Sequence, residues 1–417
     1  MSDKLLDSIL DIKQFSSLAW SEKIYGLAAK ELKAGYQISL GRIQALQVYL
    51  GGMFVGEGMR ENIRMLLACA IAQEPVLFIG GPGLAKTELA IAFFESIGLR
   101  KPTAQNENEG ENKYYEYLMS AFTLPEELFG PYIVGEGGLK SGKFIRNNEN
   151  MLSGPGIRGC FLDEVFKGSS NILNTMLTLI NERRYFNNGM FHQADLAIIA
   201  GASNTTPATS VGGLAGDFQI TGKAGGELLA FYDRFTIRLH FKAPETSSRK
   251  QIVDTEWFHI RQKALERERV KLNTGKLFQF EQKASINDIL LLSRILFASP
   301  SGNADDRVIA APEPAWVENF LSLGMKLARQ ESSLVRISPR KLTRLEKIAY
   351  ALALLDHQAG SGDAPVEKGQ ANNPDSRKIA VQKQHYEVFK HIWESEHFFE
   401  QLGREVDLSL KGLNEKD

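Results

Sequence analysis

The stretch Pro75-Val-Leu-Phe-Ile-Gly-Gly-Pro-Gly-Leu-Ala-Lys-Thr-Glu88 gathers the residue types that hold phosphate. Val76 to Ile79 is an apolar run long enough for a strand covered on both faces. Gly80, Gly81, Pro82 and Gly83 then break regular structure, and glycine lets backbone N–H groups turn toward an anion. Leu84 and Ala85 close the loop, Lys86 and Thr87 follow, and Glu88 opens a helical run to Phe94. In a P-loop of this kind the loop N–H groups and the helix N-terminus cradle the phosphates. Lys86 is then expected to reach the β- and γ-phosphates, and the Thr87 hydroxyl to bind Mg²⁺. The cofactors implied are ATP and Mg²⁺. One position departs from G-x-x-x-x-G-K-[ST]: with Gly80 as the first glycine, Ala85 stands where the last glycine belongs. The loop is expected to keep its shape if Ala85 has a negative φ.

A second acidic anchor lies downstream. Gly159-Cys-Phe-Leu-Asp-Glu164 is an apolar strand that ends in paired carboxylates. After a P-loop, Asp163 is placed to hold the Mg²⁺ shell and Glu164 to polarise an attacking water. The apolar run over 196–200 is read as a strand, and Asn204 at its tip either forms a turn or orients that water. Arg234, in Tyr232-Asp-Arg-Phe235, is either a surface cation paired with Asp233 or an arginine finger acting on a neighbouring subunit's ATP. Arg340 follows Ser338-Pro339, a good helix start, and is either an exposed cation or a contact from a helical lid to the nucleotide.

The elements that must position these groups follow from pattern. Helices are expected in the first 50 residues, over 60–72, 171–182, 248–270, 286–297, 315–330, 339–357 and 385–402. The N-terminal ones serve either as an accessory arm or as the first layer of the core. Strands are expected over 76–79, 114–118, 159–163, 196–200 and 237–241, and Asn187-Asn-Gly189 marks a hairpin turn. The glycines and lysines of 135–144 form a hairpin or loop rather than a second phosphate site, because no strand precedes them and no helix follows. The fold class is therefore α/β: a parallel sheet flanked by helices, then an α-helical lid. The expected division is a helical segment 1–50, a nucleotide-binding core 51–243, a lid 244–358, a flexible linker 359–384 and a helical tail 385–417.

Composition narrows the partners. The chain has 417 residues, 43% hydrophobic and 24% charged, with a formal net charge of −1, which gives no global attraction to nucleic acid or anionic membrane. The two cysteines, Cys69 and Cys160, lie in apolar runs and read as buried small hydrophobes in a reducing compartment. No apolar run reaches membrane-spanning length and the N-terminus lacks a signal-peptide pattern, so a cytoplasmic location is expected. His385, His391 and His397 are six apart, which is not the spacing of a zinc site on one helix face. The aromatics of the last helical segment read as a core stripe.

Taken together, Gly81-Pro-Gly-Leu-Ala-Lys-Thr87, Pro125-Glu-Glu-Leu-Phe-Gly-Pro131, Phe161-Leu-Asp-Glu164, Leu179-Ile-Asn-Glu-Arg183, Ala202-Ser-Asn204, Tyr232-Asp-Arg-Phe235 and Ser338-Pro-Arg340 resemble the AAA+ ATPases of the MoxR family. Within it, the Ala-Lys-Thr ending of the loop looks like the regulatory-ATPase-variant (RavA) branch. The resemblance covers residues 55–245 strongly and the lid to His357 moderately. It implies that Lys86 and Thr87 are Walker A residues, Asp163 and Glu164 Walker B residues and Asn204 sensor 1. Arg234 becomes the trans arginine finger and Arg340 sensor 2. The segment around Pro125 to Phe144 corresponds to the helix-2 insert, and Tyr185 to Phe191 to the presensor-1 hairpin. The implied function is ATP hydrolysis in a self-associated ring, expected to be a hexamer, with chaperone-like remodelling of a protein client. A partner with a von Willebrand factor A domain is implied as well. Two other readings belong to different classes: a nucleotide-gated scaffold with little turnover, and a DNA-associated motor, which the balanced charge disfavours.

Overall fold

The computed structural model describes residues 29–54, 56, 58–102, 112–135, 144–187, 190–204, 230–242, 281–297, 314–328, 338–357 and 383–392. The helices expected before residue 29 and over 248–270, the Gly-, Ala- and Thr-rich stretch 207–226, which the sequence suggests is a long insertion, and the expected linker up to residue 382 lie outside the described residues. In chain order the described elements begin α1 (Ala29–Met53), α2 (Met59–Ala72), β1 (Val76–Ile79), α3 (Lys86–Ser96), β2 (Lys113–Leu118) and α4 (Pro125–Phe129). Next come β3 (Tyr132–Val134), β4 (Phe144–Arg146), β5 (Ile157–Asp163), α5 (Ser170–Glu182), β6 (Arg184–Asn187) and β7 (Met190–Gln193). They close with β8 (Ile198–Ser203), β9 (Ile237–His240), α6 (Ile286–Phe297), α7 (Pro314–Ala328), α8 (Pro339–Asp356) and a 3₁₀ run, Lys383–His391.

Five strands pair in parallel in the order β2-β5-β8-β1-β9. Helices cover both faces, so the strands carry apolar residues on both sides, as parallel sheets require. The period of two sorts them. Val76 and Phe78 of β1, Phe161 of β5 and Ile198, Ala200 and Ala202 of β8 face one core with α1, α2 and α3. Leu77, Ile79, Cys160, Leu162 and Ile199 face the other, where α5 contributes Ile172, Leu173, Met176, Leu179 and Ile180. The strand expected over 196–200 is found two residues on, as Ile198–Ser203, and Ala197 just before it already donates its N–H to Arg158 O of β5 at 2.8 Å.

The described part of the N-terminal region is a layer of the core rather than an arm. Helix α1 buries Tyr36, Leu40, Ile43, Leu46 and Leu50 and runs past residue 50 to Met53. It packs on α6, and Ser39 Oγ donates to the fully buried Asp288 at 2.7 Å. Helix α8 packs on α2 through Leu345, Ile348 and Leu352. Helices α6 and α8, which the sequence assigns to a lid, therefore share one hydrophobic core with a face of the sheet. Glu74, buried just before β1, fastens this contact: it meets Lys347 and Arg344 of α8 and accepts a bond from Thr236.

The segment 383–392 completes the packing, and where a helix was expected from 385 its described residues form the 3₁₀ run instead, while 393–402 lie outside the described residues. Tyr386, Val388, Phe389 and Ile392 are buried, as the expected core stripe requires, and Tyr386 Oη donates to Trp316 O at 2.9 Å. Arg64 of α2 pairs with Asp356 of α8 and with Glu387, His391 meets Glu61 at 3.2 Å, and His385 meets Asp356 at 3.2 Å. Arg238 of β9 is fully buried, stacks 4.0 Å over Tyr232 and donates to the carbonyl of Ile392. Cys69 and Cys160 are both buried and free, and burial pushes the Cys160 thiol up to about 12. Among the described residues no helix is long and apolar enough to cross a membrane.

Two antiparallel hairpins stand off the sheet. A strand, β3, does precede 135–144, against the expectation, but it pairs antiparallel with β4 in a hairpin rather than leading a phosphate loop into a helix; β6 pairs with β7 across the Asn-Gly turn position. Both leave apolar side chains in solvent: Tyr132, Ile133, Val134, Phe144 and Ile145 on one, Phe186, Met190 and Phe191 on the other.

Candidate nucleotide site

Parallel pairing brings the carboxyl ends of the strands to one edge. Ile79 stands beside Ser203, and Leu162 beside Gly201. The loop after β1, the acidic end of β5 and the tip of β8 therefore meet, which is where open α/β sheets bind ligands.

The loop is shaped by close approach. A Cβ on Gly80 would lie 2.6 Å from the carbonyl oxygen of Phe241, so only glycine fits between β1 and the end of β9. Gly83 takes φ +75°, the left-handed region that favours glycine. Gly81, Pro82 and Gly83 are exposed, and Leu84 packs its side chain against the core.

The condition set for Ala85 is not met, and the loop forms nonetheless. Ala85 sits at φ 59°, ψ 22°, left-handed, as the N-cap of α3. The turn needs that conformation to swing the chain into the helix, and the Ala85 carbonyl accepts from Leu89 N at 2.9 Å in the first helical turn. Alanine is tolerated because its Cβ is small and solvent-exposed. An L-residue here costs about 1–2 kcal/mol, of which about 0.4–1 is offset by the lower unfolded-state entropy of alanine. Ala85→Gly is therefore expected to raise stability by about 0.5–1 kcal/mol in urea denaturation. An unchanged or lower midpoint would show that the alanine methyl packs productively.

Lys86 opens α3 and is buried, with its three ammonium donors directed at Gly80 O (2.6 Å), Gly81 O (2.7 Å) and Asn204 Oδ1 (2.7 Å). Burial pushes the ammonium below the ordinary lysine value, while Asp163 and Glu164 pull it back up. The Thr87 hydroxyl donates to Asp163 Oδ2 at 2.9 Å. Asp163 Oδ1 accepts the backbone N–H of Glu164 at 2.9 Å. Asn204 completes a circuit: its Oδ1 takes the lysine and its Nδ2 donates to Glu164 Oε1. Lys167 stands 3.6 Å from the same carboxylate oxygen. Glu164 itself is held at φ 51°, a left-handed conformation rare for a non-glycine residue and one that clusters at functional sites.

This arrangement fits Mg²⁺. Thr87 Oγ1 and Asp163 Oδ2 are hard oxygen donors side by side, the ligand type Mg²⁺ takes alongside substrate phosphates. Glu88, in the first turn of α3, follows as the loop pattern expects.

The structure gathers Lys86, Thr87, Asp163, Glu164 and Asn204. It does not bring in the two arginines. Among the described residues no hydrogen bond or ion pair joins Arg234 or Arg340 to these five. Arg340 is exposed in the first turn of α8. Arg234 lies in the turn before β9, half-buried, with no partner for its Nε among the described residues. Asp233, offered as its surface partner, pairs instead with Lys341 at 2.6 Å. No sequence signal pointed to Lys341, since that contact joins residues 108 apart.

A family model for the MoxR domain of the MoxR–vWA–β-propeller ternary systems matches residues 42–281, more than half of the chain. Two uncharacterized proteins of Methanocaldococcus jannaschii, MJ0812 and MJ0079, are each 38% identical over 180 residues, 43% of this chain and 39% of theirs. The match thus spans about two fifths of the length of these relatives. The crystal structure of a candidate ATPase from Cytophaga hutchinsonii superposes with a TM-score of 0.57, covering 92% of this chain and 97% of that one. At 15% identity that likeness establishes the α/β fold alone.

Proposed function

The chain belongs to the MoxR family of AAA+ ATPases, and on that premise we propose that it hydrolyses ATP in a self-associated, hexameric ring and remodels a protein client. The observation that carries the catalytic part is the circuit through Lys86, Asn204, Glu164, Asp163 and Thr87. In this reading the backbone N–H groups of Gly81 and of residues 83–88 hold the phosphates, Pro82 having none to give, and Lys86 leaves the Gly80 and Gly81 carbonyls for phosphate oxygen. Thr87 and Asp163 would hold Mg²⁺, which supplies charge neutralisation at the β- and γ-phosphates when bound. Glu164 accepts the proton of the attacking water as general base. Asn204 holds the Glu164 carboxylate and orients the water. Arg234 stabilises the transition state in the adjoining subunit, and Arg340 contacts nucleotide from α8.

The finer assignments rest on resemblance. Placement near the RavA branch is supported by the Ala85-Lys86-Thr87 ending. A partner with a von Willebrand factor A domain is supported by the ternary systems in which the matching MoxR domains occur. The two hairpins correspond to the helix-2 insert and presensor-1 positions, and their exposed apolar side chains suit contact with a client.

ATP hydrolysis measured against protein concentration, with mass from size exclusion in parallel, tests the ring. Specific activity is expected to rise as the chain assembles. Full turnover by a monomer, independent of concentration, would exclude shared sites.

A further inference from the structure

The turn that bears Arg234 is held from two sides. On the inner side Phe231, Tyr232 and Phe235 are buried around Phe166, with ring centroids 6.2, 5.6 and 6.5 Å away and edge-on geometry. Phe166 belongs to the 3₁₀ turn Val165–Lys167, for which Glu164 is the N-cap. On the outer side Asp233 Oδ1 accepts from Lys341 Nζ at 2.6 Å. The Lys341 side chain is 4% exposed and that of Asp233 43%, so the buried cation reaches out to the turn rather than the reverse. Lys341 directly follows Arg340 and is itself fixed: its backbone N–H donates to Ser338 Oγ, the N-cap of α8, at 3.2 Å.

We propose that the Asp233–Lys341 ion pair positions Arg234 for the adjoining subunit's ATP and locks that finger to the helical turn carrying Arg340. The inference deepens the proposed function and rests on the trans role of Arg234. Asp233 is the described acidic partner of this buried ammonium, and a charge held at 2.6 Å in a buried setting fixes the position of the group it meets. On the inner side the aromatic cluster packs Phe231, Tyr232 and Phe235 against the segment that follows the catalytic carboxylate, so the turn moves as one piece. The residue that reads nucleotide from α8 and the residue that serves the next subunit are thus joined by one contact. A displacement of the first turn of α8 in one subunit carries Lys341, then Asp233, then Arg234, and so alters turnover next door. Lys341 and Asp233 are positioning residues in this scheme. Neither touches substrate.

The test uses the full chain as Lys341→Met, which keeps the buried stem, and as Asp233→Asn, a neutral change at a partly exposed side chain that keeps the fold. Each is expected to lower kcat for ATP about 10- to 100-fold, the cost of misplacing a catalytic group by about 1 Å. KM and affinity for a non-hydrolysable ATP analogue stay at wild-type values. Mixing either variant with Glu164→Gln subunits, which bring an intact finger to the variant's own intact site, restores turnover. A wild-type kcat in Asp233→Asn, or a raised KM at unchanged kcat, overturns the proposal. If Arg234→Ala is rescued by Glu164→Gln and the two pair variants are not, the pair serves its own subunit and the proposal falls alone. If Arg234→Ala is not rescued either, the trans role of Arg234 falls and takes this inference with it.

Discussion

Arg234→Ala is expected to bind ATP as the wild type does and to hydrolyse it about 10³- to 10⁵-fold more slowly, the range over which arginine fingers act. Two observations set the expectation. Among the described residues the side chain makes no bond to Lys86, Thr87, Asp163, Glu164 or Asn204 of its own subunit, and its Nε has no partner. Its backbone is nonetheless tightly held, with Arg234 N bonded to Phe231 O at 3.1 Å and Phe235 N to Tyr232 O at 3.2 Å. A cation presented on a rigid turn and left out of its own site is suited to a site formed by another copy. Mixing Arg234→Ala with Glu164→Gln subunits should recover turnover, because each supplies what the other lacks. Steady-state ATPase rates across mixing ratios measure this. A flat response would place Arg234 in its own subunit's chemistry or outside chemistry altogether.

The second large effect is at Glu164. Glu164→Gln should lower kcat by about 10²- to 10⁴-fold, the range supplied by a positioned general base. Nucleotide affinity should hold. Glutamine is isosteric and its Oε1 still accepts from Asn204 Nδ2, so Asn204 still holds Lys86 and the circuit keeps its shape. Thr87 and Asp163 are untouched. What is lost is the acceptor for the water proton. Equilibrium binding of a fluorescent ATP analogue, read beside the hydrolysis rate, separates the two quantities. Hydrolysis at the wild-type rate would remove Glu164 from the base role.

Much of the site was legible in the sequence because it depends on short spacings. A run of four apolar residues, a glycine cluster and Lys86-Thr87 can be one strand, one turn and one helix start, and nothing distant changes that. Asp163-Glu164 and Asn204 were legible for the same reason, each at the end of an apolar run that parallel pairing carries to the same edge. Backbone conformation was less so. The sequence made the loop conditional on a negative φ at Ala85, the region alanine prefers, yet the turn imposes φ 59° and the loop forms. Local preference of about 1–2 kcal/mol yields to the loop as a whole. Pairings between distant residues were not legible. Asp233 has a cation beside it in sequence, and proximity suggested Arg234; the fold supplies Lys341 instead. Nothing in the sequence singles out Glu74, and only the fold brings Arg344 and Lys347 of α8 to it. The first 50 residues likewise read as either an arm or a core layer, since an amphipathic helix does not say which surface its apolar face meets; the described part, Ala29–Met53, is a core layer.

The buried guanidinium of Arg238 has a consequence for the order in which the chain matures. β9 is an edge strand of the sheet, and its arginine has two described carbonyl partners, Tyr232 O nearby and Ile392 O. The second lies 154 residues further along. At ribosomal rates that stretch takes roughly 8–30 s to emerge. During that interval the nascent sheet carries a charged group that it cannot fully satisfy at the position β9 must occupy. The strand that flanks the glycine-rich loop is thus sealed late. A chain still attached to the ribosome holds Lys86, Thr87, Asp163 and Glu164 in sequence well before it holds the finished edge that keeps Gly80 against Phe241.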